Sequence, residues 1–128
     1  MIPLARPVLL YDSECRVCRF TARLVQRLDR TQRLAFLPLQ ADEAAPMLEQ
    51  LPEEERMASW RLAGLDGTLA GRGAGGPAVL RALGHARTAD MLAAVPETML
   101  EHGYDLVARN RGRIGRLVPD GPAPRRFP

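Results

Sequence analysis

The residues best suited to chemistry are Cys15 and Cys18, the only two cysteines of the 128-residue chain. Thiol–disulfide exchange needs one thiolate that attacks a disulfide and a second thiol that resolves the resulting mixed disulfide. Two intervening residues at the start of a helix bring two sulfurs within bonding distance and leave the first cysteine at the exposed end. The spacing therefore predicts a redox-active dithiol in which Cys15 attacks and Cys18 resolves.

The neighbouring segments are those expected to hold a dithiol at the start of a helix. Val8–Tyr11 is a short apolar run that predicts a buried strand, and the polar residues after it can cap a helix. From Cys15 to about Arg30, apolar residues recur three and four positions apart, which predicts an amphipathic helix. Its predicted apolar stripe consists of Val17, Phe20, Thr21, Leu24, Val25 and Leu28. The partial positive charge of this helix N-terminus would favour the thiolate of Cys15.

Charged residues of both signs flank the two cysteines. Arg16 and Arg19 would stabilise a thiolate, whereas Asp12 and Glu14 would oppose its formation. Asp12 itself has two interpretations. It is either a site residue that accepts the Cys18 proton or tunes the dithiol, or a turn residue whose oxygen caps free backbone N–H groups.

The rest of the chain predicts further strands and helices in a recognisable order. They are a strand within Leu34–Gln40 ended by Pro38, a short helix over Ala44–Leu51, a hairpin of Met57–Ala63 and Thr68–Ala70, and helices over Pro77–Leu83, Thr88–Ala94 and Pro96–Leu117. Trp60 is expected on the first hairpin strand, and the glycine-rich segment 71–76 is expected to be a flexible connection.

This order predicts an α/β fold of the form β-α-β-α-β-β-α with an extra C-terminal helix. A strand–helix–strand start implies a parallel pair, and the hairpin adds antiparallel strands. The result is a four-stranded mixed sheet covered by helices, the layout of thioredoxin and glutaredoxin. We expect one domain over residues 1–118, because a chain with 46% hydrophobic residues can bury its own core. Residues 119–128 hold four prolines and are expected to form a flexible tail.

Tyr11, Asp12, Cys15 and Cys18, directly after an apolar strand, resemble the motif of the DCC family of thiol-disulfide oxidoreductases. The resemblance continues in order through Leu34–Gln40, the Asp66-Gly67 turn, Ala78–Leu83 and Tyr104–Arg111. It implies a thioredoxin-like fold, Asp12, Cys15 and Cys18 as site residues, and a protein thiol or disulfide as substrate. No cofactor is predicted, and the electron donor and the oligomeric state are left open. Thioredoxins proper carry a cis-proline before the third strand, whereas 55–60 contains no proline here, so the substrate-docking groove is expected to differ.

Two other functions remain as alternatives. A Cys-x-x-Cys pair is half of a common zinc site, with only His85 and His102 left to complete it. A non-catalytic binding module would use an Arg-rich surface, which consists of Arg109, Arg111, Arg113, Arg116, Arg125 and Arg126. All 18 basic residues are arginine, but the net charge is only +3 and no aromatic residues are interleaved with the basic run, so nucleic-acid binding is not predicted.

The sequence also bears on location. No run approaches the ~20 apolar residues of a membrane span, and Val8–Tyr11 is too short for the apolar core of a signal peptide. We therefore expect a cytoplasmic protein of bacterial type, where structural disulfides rarely persist.

Overall fold

A four-stranded sheet forms the centre of the computed structural model, which describes residues 4–128. Its strands are β1 (Val8–Tyr11), β2 (Ala35–Pro38), β3 (Arg61–Ala63) and β4 (Leu69–Gly71). The strand order is β2-β1-β3-β4, with β1 parallel to β2 and antiparallel to β3, and β3 antiparallel to β4. The predicted mixed sheet, with its parallel start and its hairpin, is confirmed.

Six α-helices accompany the sheet within the described residues. They are α1 (Arg16–Leu28), α2 (Ala45–Leu48), α3 (Gly76–Ala82), α4 (Ala86–Ala93), α5 (Glu97–Arg109) and α6 (Arg111–Leu117), and 3₁₀ turns lie at Asp42–Ala44 and Glu53–Glu55.

The prediction of a single helix over Pro96–Leu117 is wrong. Asn110 has φ −107° and ψ 16° and ends α5, while its side-chain amide donates to the Leu106 carbonyl oxygen at 2.7 Å. The second correction concerns Trp60, which lies one residue before β3 rather than on it.

Strand β1 is buried on both faces. Its side chains alternate, so Val8 and Leu10 join one core cluster and Leu9 and Tyr11 join the other. The first cluster consists of Val8, Leu10, Ala35, Leu37, Leu39, Ala44, Met47, Leu48 and Ala63. The second consists of Leu9, Tyr11, Ala22, Leu34, Phe36, Leu62 and Leu83, with α1 and α3 residues packed against it. A strand buried on both faces ends directly before the dithiol loop, which gives that loop a rigid base.

Helix α1 contacts the core through a face that includes only part of the predicted stripe. Ala22 is its buried residue and Val25 packs beside it, whereas Leu24 and Leu28 are 47% and 58% exposed. The prediction gave weight to the largest apolar side chains. Instead, the small Ala22 side chain faces the sheet, and this lets the helix axis approach closely.

The glycine-rich segment 71–76 is a packing surface for α5. A Cβ atom at Gly73 would stand 2.0 Å from the Leu100 carbonyl oxygen, so only glycine permits this approach. The Ala74 N–H donates to Glu101 at 2.7 Å, and Arg72 forms an ion pair with the same carboxylate at 2.8 Å. These contacts place α5, and therefore the start of α6, relative to the sheet.

Residues 119–128, predicted as a flexible tail, lie along α1 and the outer side of β2 in this structure. The Tyr11 hydroxyl donates to the Pro124 carbonyl oxygen, and Arg23 donates to the Pro119 carbonyl oxygen at 2.9 Å. Near the end, Arg126 exchanges two backbone hydrogen bonds with Phe36.

None of the helices within residues 4–128 has the length and apolar content needed to cross a membrane. The domain boundary after residue 118 stays a prediction.

Candidate active site

Cys15 occupies the N-cap of α1, at the carboxyl end of the buried strand β1. Its backbone is extended, with φ −100° and ψ 118°, and its Sγ accepts a hydrogen bond from the Cys18 backbone N–H at 3.3 Å. An unpaired N–H at a helix start carries part of the positive end of the helix dipole. The local geometry therefore directs a hydrogen-bond donor and a partial positive charge at the sulfur of Cys15. Both cysteines are free thiols of intermediate exposure.

Cys18 lies one turn further into α1 and differs strongly from an exposed thiol. Burial, and then hydrogen bonding to Cys15 and the charge of the Cys15 thiolate, raise the pKa of Cys18 to about 12. The Arg111 charge acts in the opposite direction, and the Asp12 charge adds a small further rise to the same pKa. At neutral pH, Cys18 is therefore a protonated thiol. A resolving thiol is in that state before it attacks a mixed disulfide.

Asp12 organises the loop between β1 and α1. Its Oδ1 accepts hydrogen bonds from the Glu14 backbone N–H at 2.9 Å and from Gln40 Nε2 at 2.7 Å. Gln40 Oε1 accepts in turn from the backbone N–H and the hydroxyl of Ser13, at 3.1 and 2.9 Å. Asp12 and Gln40 together fix the three residues that lead into Cys15.

Gln40 was not among the predicted site residues, although the sequence contained a signal for it. It follows β2 as Asp12 follows β1, and the carboxyl ends of two parallel strands meet at the same edge of a sheet. A polar side chain just past each strand end is therefore placed to form a hydrogen bond.

Of the two arginines expected to act on the dithiol, Arg19 forms its hydrogen bonds with other groups. Its guanidinium donates to the Ser13 carbonyl oxygen at 2.8 Å, to Asp120 at 2.8 Å and to the Gly121 carbonyl oxygen at 3.3 Å. Arg16 is exposed to solvent. Arg19 therefore joins the loop to the C-terminal segment.

Arg111 is the first residue of α6, and its pKa responds to both cysteines. Its partial burial acts to lower the pKa of Arg111, but hydrogen bonding to Cys15 and the charges of both thiolates outweigh that effect, and the net pKa is raised. From the sequence, Arg111 is expected in a basic surface run instead. Periodicity gives no signal for its position, because Arg111 lies 93 positions after Cys18 in the chain.

The zinc alternative required other ligands near the cysteines. Over residues 4–128, no group of three or more histidine, cysteine, aspartate or glutamate side chains is close enough together to hold a metal ion. Two members of the proposed Arg-rich surface are in ion pairs, Arg125 with Glu43 and Arg126 with Asp29.

Comparison with known proteins identifies the family of the chain. A family model described as DCC1-like thiol-disulfide oxidoreductase matches residues 9–117, which include all of β1 but Val8, the dithiol and Arg111. No curated protein and no solved structure matches the chain. The resemblance seen in the sequence motifs is confirmed, and the fold is consistent with a thioredoxin-like one. The chain belongs to the DCC1-like thiol-disulfide oxidoreductase family.

Proposed function

We propose that this protein exchanges disulfides with protein substrates through Cys15 and Cys18, without a cofactor. The Cys15 thiolate attacks one sulfur of a substrate disulfide, the substrate S–S bond breaks, and the departing substrate thiolate takes up a proton. Cys18 then loses its proton and attacks Cys15 Sγ, which releases the second substrate thiol and forms the Cys15–Cys18 disulfide. The substrate gains two electrons and the protein dithiol loses two. A second dithiol, whose identity is open, must reduce the protein again.

One observation carries the proposal: the Cys18 backbone N–H donates to Cys15 Sγ from the first turn of α1. This hydrogen bond favours a negative sulfur at Cys15, because a donor stabilises the charged form of the group that accepts from it. The raised pKa of Cys18, about 12, keeps Cys18 protonated at neutral pH, as the proposed first step requires. The cytoplasmic location and a bacterial origin are part of the proposal, and a reducing cytosol would favour the reductase direction.

Equilibration with a redox buffer tests the proposal. When the reduced protein is held with mixtures of dithiothreitol or glutathione and their disulfides, we expect both thiols to disappear together as one intramolecular disulfide. The midpoint should lie between about −120 and −300 mV, the range over which dithiol oxidoreductases operate. Mass spectrometry of the alkylated protein counts the free thiols. Two thiols that persist throughout this range, or that oxidise independently, would exclude the proposed reaction.

The Asp12→Asn variant separates the two roles of Asp12. Asparagine keeps an oxygen that can accept from Glu14 and Gln40, so we expect the loop to be retained and the resolving step to be no slower than in the wild type. Removal of the negative charge should assist ionisation of Cys18 slightly, because that charge raises the pKa of Cys18. If Asp12 instead accepts the Cys18 proton, the variant should slow resolution by about a hundredfold or more. Stopped-flow measurement of substrate thiol release distinguishes the outcomes, and Asp12→Ala, which removes the acceptor oxygen, serves as the comparison.

A further inference from the structure

We propose that Arg111 is an active-site residue that stabilises the Cys15 thiolate. This inference rests on the proposed exchange function and assigns a second element, α6, to the active site. Arg111 belongs to the C-terminal part of the chain, whereas both cysteines lie on α1. The assignment depends on how α6 meets α1.

Helix α6 packs directly on the first turn of α1. Gly115 is buried there, and a Cβ at that position would lie 3.7 Å from Val17 Cγ2 and 3.8 Å from Arg16 Cβ. Arg111 lies four residues before Gly115, and residues four apart share one face of a helix. The face of α6 that contacts α1 therefore carries Arg111 towards the end of α1 at which Cys15 is the N-cap.

The guanidinium of Arg111 is held by a hydrogen bond to the backbone of α5. Its Nε donates to the Ala108 carbonyl oxygen at 3.1 Å, in the last turn of α5. A guanidinium carries five N–H donors on one plane, so this contact leaves four of them for other partners. Cys15 and Cys18 are the groups that raise the pKa of Arg111, which agrees with a position of its guanidinium beside the dithiol.

The other nearby arginines do not take this role. Arg19 is held by Ser13, Asp120 and Gly121, and Arg16 is exposed, where solvent and salt weaken its field. Arg111 is partly buried, so its charge is screened less. Because an arginine does not release its proton in this pH range, it stabilises the thiolate without taking part in proton transfer.

Alkylation of Cys15 as a function of pH tests this role without any substrate. The measurements use the Cys18→Ser protein, in which Cys15 is the single thiol, and iodoacetamide, which reacts with the thiolate. In that background, Arg111→Gln should move the midpoint of the rate–pH profile upward by about one pH unit, which is the shift expected when one close opposite charge is removed. Below the midpoint, alkylation should therefore slow about tenfold. Arg111→Lys keeps the charge but not the planar fork, and we expect a smaller shift.

The matched control is Arg113→Gln, which removes an exposed arginine from the same helix and should leave the profile unchanged. Thermal unfolding of each variant shows whether α6 remains docked. Arg111→Met, which keeps the apolar stem, replaces the glutamine variant if that protein folds poorly. A lowered melting temperature with an unchanged pH profile would show that Arg111 contributes only to packing, and it would overturn the inference. A shifted profile in a protein that shows no disulfide exchange would retain the inference and reject the proposed function.

Discussion

Replacement of Cys15 by serine is expected to lower the rate of disulfide exchange by about a thousandfold or more, the scale on which enzymes depend on their covalent nucleophile. A serine hydroxyl is not ionised at neutral pH, so the hydrogen bond from the Cys18 N–H would no longer meet a nucleophilic sulfur. Cys18 cannot substitute, because its burial raises its pKa and keeps it protonated at neutral pH. Reduction of insulin disulfides, with dithiothreitol as the electron donor, provides the assay.

The Cys18→Ser variant is the matched control, and it should fail at a different step. The Cys15 attack remains possible, so the mixed disulfide with the substrate should accumulate and be visible on a non-reducing gel. In the wild type, release from that species should accelerate about tenfold per pH unit between neutral and mildly alkaline pH, since only the thiolate of Cys18 attacks. A Cys15→Ser protein that retains exchange, or equal trapping by both variants, would contradict the assigned order of the two thiols.

Arg126→Ala is expected to destabilise the fold by about 3 kcal/mol or more, because removing one partner leaves a buried charge uncompensated. The Asp29 side chain is fully buried, and Arg126 forms an ion pair with its Oδ2 at 2.5 Å. Arg126 also donates to the Leu34 carbonyl oxygen and lies over the Phe36 ring, 5.1 Å from its centroid. Domains of this size are commonly stable by only about 5–15 kcal/mol, so urea denaturation should show a clear shift of the midpoint.

Arg125→Ala provides the control for that experiment. Arg125 is the neighbouring residue and pairs with Glu43, but both side chains are about half exposed. Exposed ion pairs contribute about 0–1 kcal/mol, so this variant should unfold close to the wild-type midpoint. Equal losses of unfolding free energy in the two variants would contradict this prediction. They would show that the ion pair to the buried Asp29 contributes no more to stability than the exposed pair does.

The parts of the fold and site that were predictable are those specified by local sequence. Val8–Tyr11, the polar turn and the Cys-x-x-Cys pair lie within eleven consecutive residues, and the structure places them as a strand, a loop and a helix start. The Asp66-Gly67 turn identified the β3–β4 hairpin for the same reason, since a tight turn is defined by adjacent residues. Family motifs later in the chain then supported the order of the elements.

The parts that were missed depend on contacts between distant segments. The orientation of α1 follows from the small Ala22 side chain against the sheet, and a count of large apolar residues points to another face. The position of Arg111 follows from the break at Asn110 and the close approach at Gly115, neither of which a periodic pattern reveals. The pairing of Asp29 with Arg126 joins residues 97 positions apart.

The segment around Arg126 also limits how another chain could join the sheet. On the outer side of β2, the Phe36 N–H and carbonyl are paired with the backbone of Arg126, at 2.7 and 3.0 Å. Two residues earlier, the Leu34 N–H donates to Asp29 and the Leu34 carbonyl accepts from the Arg126 side chain. β-Augmentation, in which an extended peptide adds a strand, needs an edge with unpaired backbone groups. Within residues 4–128, such a peptide would have to join at β4, on the opposite edge from β2.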